Sequence, residues 1–217
     1  VVTAPSLAEE FKEFNKRITV LTNGYEKMFN SSATNTNALV YAGSLKAQQN
    51  PSCLWQAIQE LTQESKSFAA QFSLEIYGNV AANIRQEVSD FGIEKWVKFF
   101  GYQSKEQLDK RLPSAKALLL LGIDMSNTHN IIHGKLFEYM AANRPVLGVG
   151  PIPSDMESLF EVHQLGVYTR FEDKERIKST LLHWFTSDSI PFQSNQTDQY
   201  QHKEIANKYA NLILKDS

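Results

Sequence analysis

The 217-residue chain is 42% hydrophobic and 21% charged, ordinary for a globular protein and enough for one large domain or one domain with appendages. A formal charge of −2 supplies no long-range field for nucleic acid or an acidic membrane, and no run of Lys and Arg forms a polybasic anchor. A single cysteine, Cys53, excludes an internal disulfide framework and fits a reducing, cytoplasmic setting, no signal peptide is visible, and the longest apolar run, Ala117 to Ile123, is too short to cross a bilayer.

In chain order, Val1 to Thr3 reads as the end of a strand that starts without an initiator Met, as though taken from inside a larger protein. Ser6 as N-cap, with Glu9 completing a capping box, predicts a helix to about Phe14. Ile18 to Leu21 is a short apolar strand, ended by Asn23-Gly24. Residues 25–37 turn polar, finish in SSATNTN and read as a linker.

A regular alternation follows. Strand Leu39 to Ala42 ends in Gly43, and the next helix has Asn50 as cap, Pro51 at its first position and Leu54, Ile58 and Leu61 as its apolar stripe. Strand Leu74 to Tyr77 ends in Gly78, and the helix bearing Ile84, Val88 and Phe91 stops at Gly92. Strand Trp96 to Phe99 runs up to Gly101, then Ser104 and Gln107 form a capping box for a helix with Leu108 and Leu112. Strand Ala117 to Leu121 is apolar throughout, as a central strand covered on both faces must be, and leads into the polar loop Gly122 to His133. A helix from Gly134 to Asn143 precedes strand Val146 to Val149, and Ser154 with Glu157 caps the next helix. A strand near Val167 and Tyr168, a helix with Ile177, Leu181, Trp184 and Phe185, and a last helix with Ile205, Tyr209, Leu212 and Ile213 complete the chain.

Six strands alternating with helices imply an α/β fold, a doubly wound parallel six-stranded Rossmann-like sheet with helices on both faces. Ligands of such sheets bind outside the carboxyl ends of the strands. Gly43, Gly78, Gly101 and Gly122 fall at those ends, where glycine admits a ligand to the backbone or serves the turn itself.

The stretch GKLFEYMAANRPVLGVG, Gly134 to Gly150, combines a glycine-opened helix with a glutamate one turn in. Unpaired N–H groups at the helix start suit a phosphate, and Glu138 is placed to accept hydrogen bonds from a diol such as a ribose. An ordinary helix with a tight C-cap and a solvated glutamate fits the same residues. Other chemistry has less support. YAGSLKAQQNP carries one glycine where a dinucleotide fingerprint needs three, and no Walker phosphate loop occurs. His129 and His133 have a metal-compatible spacing but lie in a loop without an obvious third ligand, so no metal site is expected. Asp124 and His133 are candidates to line the cleft, and Cys53 reads as a packing residue.

Taken in order, VVTAPSLAEEF, ITVLTNGYE, VYAGSL, LEIYGN, VKFFGYQSKEQL and GKLFEYMAANRPVL resemble the retaining glycosyltransferases of the GT-B fold, in particular the C-terminal, nucleotide-sugar-binding half of a group 1 enzyme. The resemblance implies a division into residues 1–24, the remnant of an N-terminal acceptor domain and its crossover; the linker, 25–37; the nucleotide-sugar-binding domain, 38–190; and a loop and helix, 191–217, that pack back toward the first domain. It implies that Glu138 holds the nucleotide ribose, that the Gly134-Lys135-Leu136 backbone cradles the donor diphosphate and that the Gly101-Tyr102 loop contacts the base. Gly43 and Ser44 would approach the phosphates, and Gly78 and His133 join the substrate-binding set.

Two positions depart from the family pattern. Where many members carry a sugar-contacting glutamate, eight residues before Glu138, this chain has Asn130. Where many carry a basic pair after the first strand, it has Ser44, with Lys46 as a possible substitute. The expected activity is transfer of a hexose from a nucleotide-diphosphate sugar to a glycan or lipid-linked acceptor in polysaccharide biosynthesis. The nucleotide sugar is a substrate and no cofactor is implied; the catalytic residues are unassigned. Expected partners are the nucleotide sugar and the acceptor domain, with at most peripheral membrane association. A non-catalytic nucleotide-binding or scaffold domain is the alternative reading, and an epimerase of the same fold a third.

Overall fold

A computed structural model describes residues 1–29, 36–123, 125, 128–192, 194–195 and 197–215. Six strands, β1 (Leu39–Ala42), β2 (Leu74–Tyr77), β3 (Val97–Gly101), β4 (Ala117–Leu121), β5 (Val146–Val149) and β6 (Gly166–Thr169), form one sheet in the order β3-β2-β1-β4-β5-β6. Every pairing is parallel, with Leu39 beside Leu74 on one side and Ala117 on the other.

The period-2 geometry of a strand sorts these residues into two cores. Leu39, Tyr41, Leu74, Ile76, Leu119 and Leu121 face one layer, packed by helices α2 (Ser52–Glu64), α3 (Lys66–Gln71), α4 (Ala82–Asp90) and α8 (Lys174–Thr186). Val40, Ala42, Leu118 and Leu120 face the other, covered by α6 (Lys135–Ala142) and α7 (Asp155–His163). Two-sided burial is why β1 and β4 are apolar at every position. Helix α5 (Lys105–Arg111) starts at the Ser104/Gln107 capping box, α4 gives way to Gly92 at φ +65°, and α7 is capped by Ser154 as its sequence predicts.

Several local expectations are corrected. Helix α1 spans Pro5–Phe11 with Ala4 at the N-cap, not Ser6. Pro5 presets the first helical φ, and the Ser6 hydroxyl and N–H donate instead to the Asp155 carboxylate at 2.9 and 3.1 Å. Helix α2 starts at Ser52, leaving Pro51 at the cap, while Asn50 accepts a hydrogen bond from the Trp55 indole at 2.8 Å. Val20 forms an isolated bridge to Val2 where a strand was expected. Helix α3 was not foreseen; Ser65 caps it and Phe68 stacks on Phe72 with ring centroids 4.6 Å apart. Most of the SSATNTN run lies outside the described residues, but Tyr25 is buried and pairs with Gln201.

The last helix, α9 (His202–Lys215), begins against this Tyr25 segment and then leaves Tyr209, Ile213 and Leu214 exposed. Exposed Phe11 and Phe14 add to the apolar surface offered by the two ends of the chain. No helix among the described residues is long and apolar enough to cross a membrane.

Candidate functional site

The strand order reverses between β1 and β4, and the crevice outside their carboxyl ends is the expected ligand site of such a sheet. The chain leaves β1 through Gly43 and β2 through Gly78, both at positive φ, +123° and +125°. A Cβ on Gly78 would stand 2.4 Å from the Gly43 carbonyl oxygen, so the two turns touch through bare backbone. Gly101 ends β3, and Gly122 follows β4 with its N–H on the Val149 carbonyl at 2.8 Å.

Helix α6 enters this crevice with Gly134 as its cap. The Leu136 N–H is taken by the His133 carbonyl and that of Phe137 by Gly134, whereas the Gly134 and Lys135 N–H groups have no acceptor among the described residues. Leu136, Phe137, Tyr139 and Met140 bury the opposite face of the helix, so Leu136, expected in the diphosphate cradle, has neither an exposed side chain nor a free N–H to offer, and the helix-start donors unpaired among the described residues are those of Gly134 and Lys135. Glu138 is half-buried and makes no hydrogen bond or close ion pair among the described residues. It lines two cavities, of about 430 and 160 Å³, that share Gly24, Glu138 and His202. Gly24 lines both and Asn23 the larger one, in a segment held down where Tyr25 N–H donates to Tyr200 O (2.9 Å) and His202 N–H to Tyr25 O (2.8 Å).

Lys135 turns inward. Its Nζ donates to Tyr41 Oη at 2.6 Å and stands 4.1 Å from that ring's centroid, directly beneath Gly43. Burial pulls its pKa down to about 8, against the opposing charge of Glu138. Burial first, then the Lys135 charge, drops His133 to about 4, so its imidazole is neutral at pH 7. Tyr139 Oη accepts from Ala42 N–H at 2.9 Å, and Tyr41 Oη donates to Ser44 O at the same distance. These two buried tyrosines fix the end of β1 to α6 and to the following turn.

The structure thus brings Gly43, Lys135 and the start of α6 into contact, with Gly78 against Gly43 and His133 just before Gly134. Ser44 and Lys46 are exposed, Lys46 heading the single turn Ala47–Gln49. Tyr102 is 81% exposed beyond Gly101. Asn130 faces α1, donating from Nδ2 to Glu10 Oε1 at 3.2 Å, with His129 Nε2 3.6 Å from the same oxygen. Asp124 lies outside the described residues. Among the described residues no three His, Cys, Asp or Glu side chains converge as a metal site. Sequence reading missed Tyr41, Tyr139, Glu10 and Asp155; the only trace of the first two is a polar tip within an otherwise apolar run.

A family model described as "Glycosyl transferases group 1" matches residues 36–182. A search of curated proteins returns no match. Among solved structures, the pneumococcal O-GlcNAc transferase GtfA in complex with UDP and GlcNAc is similar with a TM-score of 0.69 at 15% identity, over 99% of this chain and 44% of that one. The lipopolysaccharide outer core galactosyltransferase WaaB, in its apo form, gives 0.69 at 14% identity over 100% and 61%. Sucrose-phosphate synthase from Thermosynechococcus elongatus gives 0.71 at 13% identity over 99% and 57%. The chain therefore spans about half the length of these structural neighbours.

Proposed function

Because this chain belongs to the group 1 glycosyl transferases, we propose that it binds a nucleotide-diphosphate sugar at the start of α6 and serves transfer of the hexose, with retention, to a glycan or lipid-linked acceptor. The observation that carries the reading is the half-buried Glu138 carboxylate, unpaired among the described residues, one turn below the Gly134 and Lys135 N–H groups that likewise have no acceptor there. In this reading the diphosphate takes the two N–H groups, whose charge-assisted hydrogen bonds contribute about 1.5–3 kcal/mol each, and the helix dipole adds to them. Glu138 accepts from the ribose hydroxyls. Leaving-group charge is then stabilised by fixed donors rather than by a covalent step. The UDP held by GtfA supports a uridine nucleotide as the first to try.

The acceptor side comes in this reading from a second domain, for which the exposed apolar residues of α1 and α9 and the half-length match to the neighbours are the support. The isolated chain is then a binder with little turnover, and clear transferase activity of this chain alone counts against that division. Calorimetric titration with UDP, GDP and ADP tests the donor site. Saturable binding of one of them supports it. The absence of binding at millimolar concentration favours the scaffold reading, which rests on Asn130 being engaged by Glu10 rather than facing the site.

A further inference from the structure

Lys135 is a cation held out of water without a close counter-anion among the described residues. Among the described residues its ammonium has one hydrogen-bond partner, the neutral Tyr41 hydroxyl, and the face of the same ring. Among the described residues the titratable groups facing it are Tyr41 from β1, His133 from the preceding loop and Glu138 on its own helix, and no carboxylate among them lies within ion-pair distance. Burying an ammonium this way is unfavourable unless an anion arrives. The basic residue of the turn after β1 does not fill this place: Lys46 is exposed and Ser44 is uncharged.

Gly43 is what opens the position. Its absent side chain leaves Nζ room, since a Cβ there would stand 2.9 Å away. The free N–H groups of Gly134 and Lys135 begin the same helix that carries the ammonium. We propose that the Lys135 side chain is the charge that neutralises the donor diphosphate, supplied from α6 beneath Gly43, and that diphosphate binding restores the fraction of a proton that the free side chain has lost. The inference rests on the nucleotide-diphosphate reading above and names the residue and the linkage within that site. Its physical basis is that an ammonium with a pKa near 8 is partly neutral at working pH, and a bound dianion draws the proton back. Tyr41 then keeps the ammonium aimed, which makes it a positioning residue.

The test uses the whole 217-residue chain, the tightest of UDP, GDP and ADP, and its matching uncharged nucleoside. Sign follows from linkage: protonated Lys135 binds and the free amine does not, so affinity is full below the free pKa and falls above it. The diphosphate affinity relative to that of the nucleoside is expected to drop by about tenfold from pH 7 to pH 9, any ionisation of the base being common to both. At pH 8, binding measured in two buffers of different ionisation enthalpy should show net proton uptake. Lys135→Met should weaken the diphosphate by about ten- to a hundredfold, flatten its pH profile and spare the nucleoside. Lys135→Arg, which cannot lose its charge, should flatten the profile while keeping affinity at pH 9.

A wild-type profile flat across this range, or Lys135→Met binding like wild type, overturns the inference and leaves the nucleotide site standing. Failure of wild type to bind any of the three diphosphates overturns both. Should Lys135→Met not fold, by its circular dichroism, the wild-type and Lys135→Arg profiles decide.

Discussion

At the residue scale two neighbours one turn apart on α6 point in different directions. Lys135 sends its side chain into the protein and Glu138 keeps its carboxylate toward the cavities beside Gly24 and His202. The 3.6-residue period produces this split, placing Leu136, Phe137, Tyr139 and Met140 in the core on the remaining face. Glu138→Ala should leave thermal stability within about 0.5 kcal/mol, because no partner among the described residues is lost, while removing most nucleotide affinity. Paired melting and titration curves check both halves. Tyr139→Phe should act the other way. It strips the acceptor from the buried Ala42 N–H, so a loss of about 1–3 kcal/mol in denaturant unfolding is expected.

At the element scale, the Gly43 and Gly78 turns press together and leave no space for a side chain at Gly78. Gly78→Ala combines a strained φ with a backbone collision and should cost about 1–3 kcal/mol or more by chemical denaturation. A neutral result would mean that the turns separate readily. Helix α1 illustrates the limits of reading elements from local sequence. Ser6 and Glu9 have the spacing of a capping box, yet the partner of Ser6 is Asp155, 149 residues away. Asp155→Ala is accordingly expected to expose α1 to proteolysis while α7, capped by Ser154, persists.

Periodic segments were legible because one physical pattern decides them: β1, β4 and β5 as apolar runs, α5 and α7 from their caps, α8 from its stripe. Helix α3 was not, since six residues show too little of a period and only Ser65 marks it. Within the candidate site, the place of Glu138 one turn below Gly134 was legible from the cap and spacing of one helix, since both lie on α6 and its cap. The burial of Lys135 on Tyr41 depends on β1 lying beside α6, a tertiary contact that no local pattern encodes.

At the scale of the whole molecule, the reversal of strand order between β1 and β4 places the start of α6 at a crevice, and two buried layers hold it there. Leu119 lies within one of those layers, fully buried at the middle of β4, so Leu119→Ala should lower stability by about 2–5 kcal/mol without a direct effect on the site. The exposed apolar residues at both chain ends, Phe11, Phe14, Tyr209, Ile213 and Leu214, sit outside that core. In the proposed function, this half-length group 1 glycosyl transferase chain carries a donor nucleotide site at Glu138. Calorimetric titration of wild type and Glu138→Ala with UDP, GDP and ADP measures it most directly. Wild type is expected to bind at least one of them saturably, and a folded Glu138→Ala protein to lose that binding; equal binding by both, or none by wild type, would contradict a donor site at Glu138.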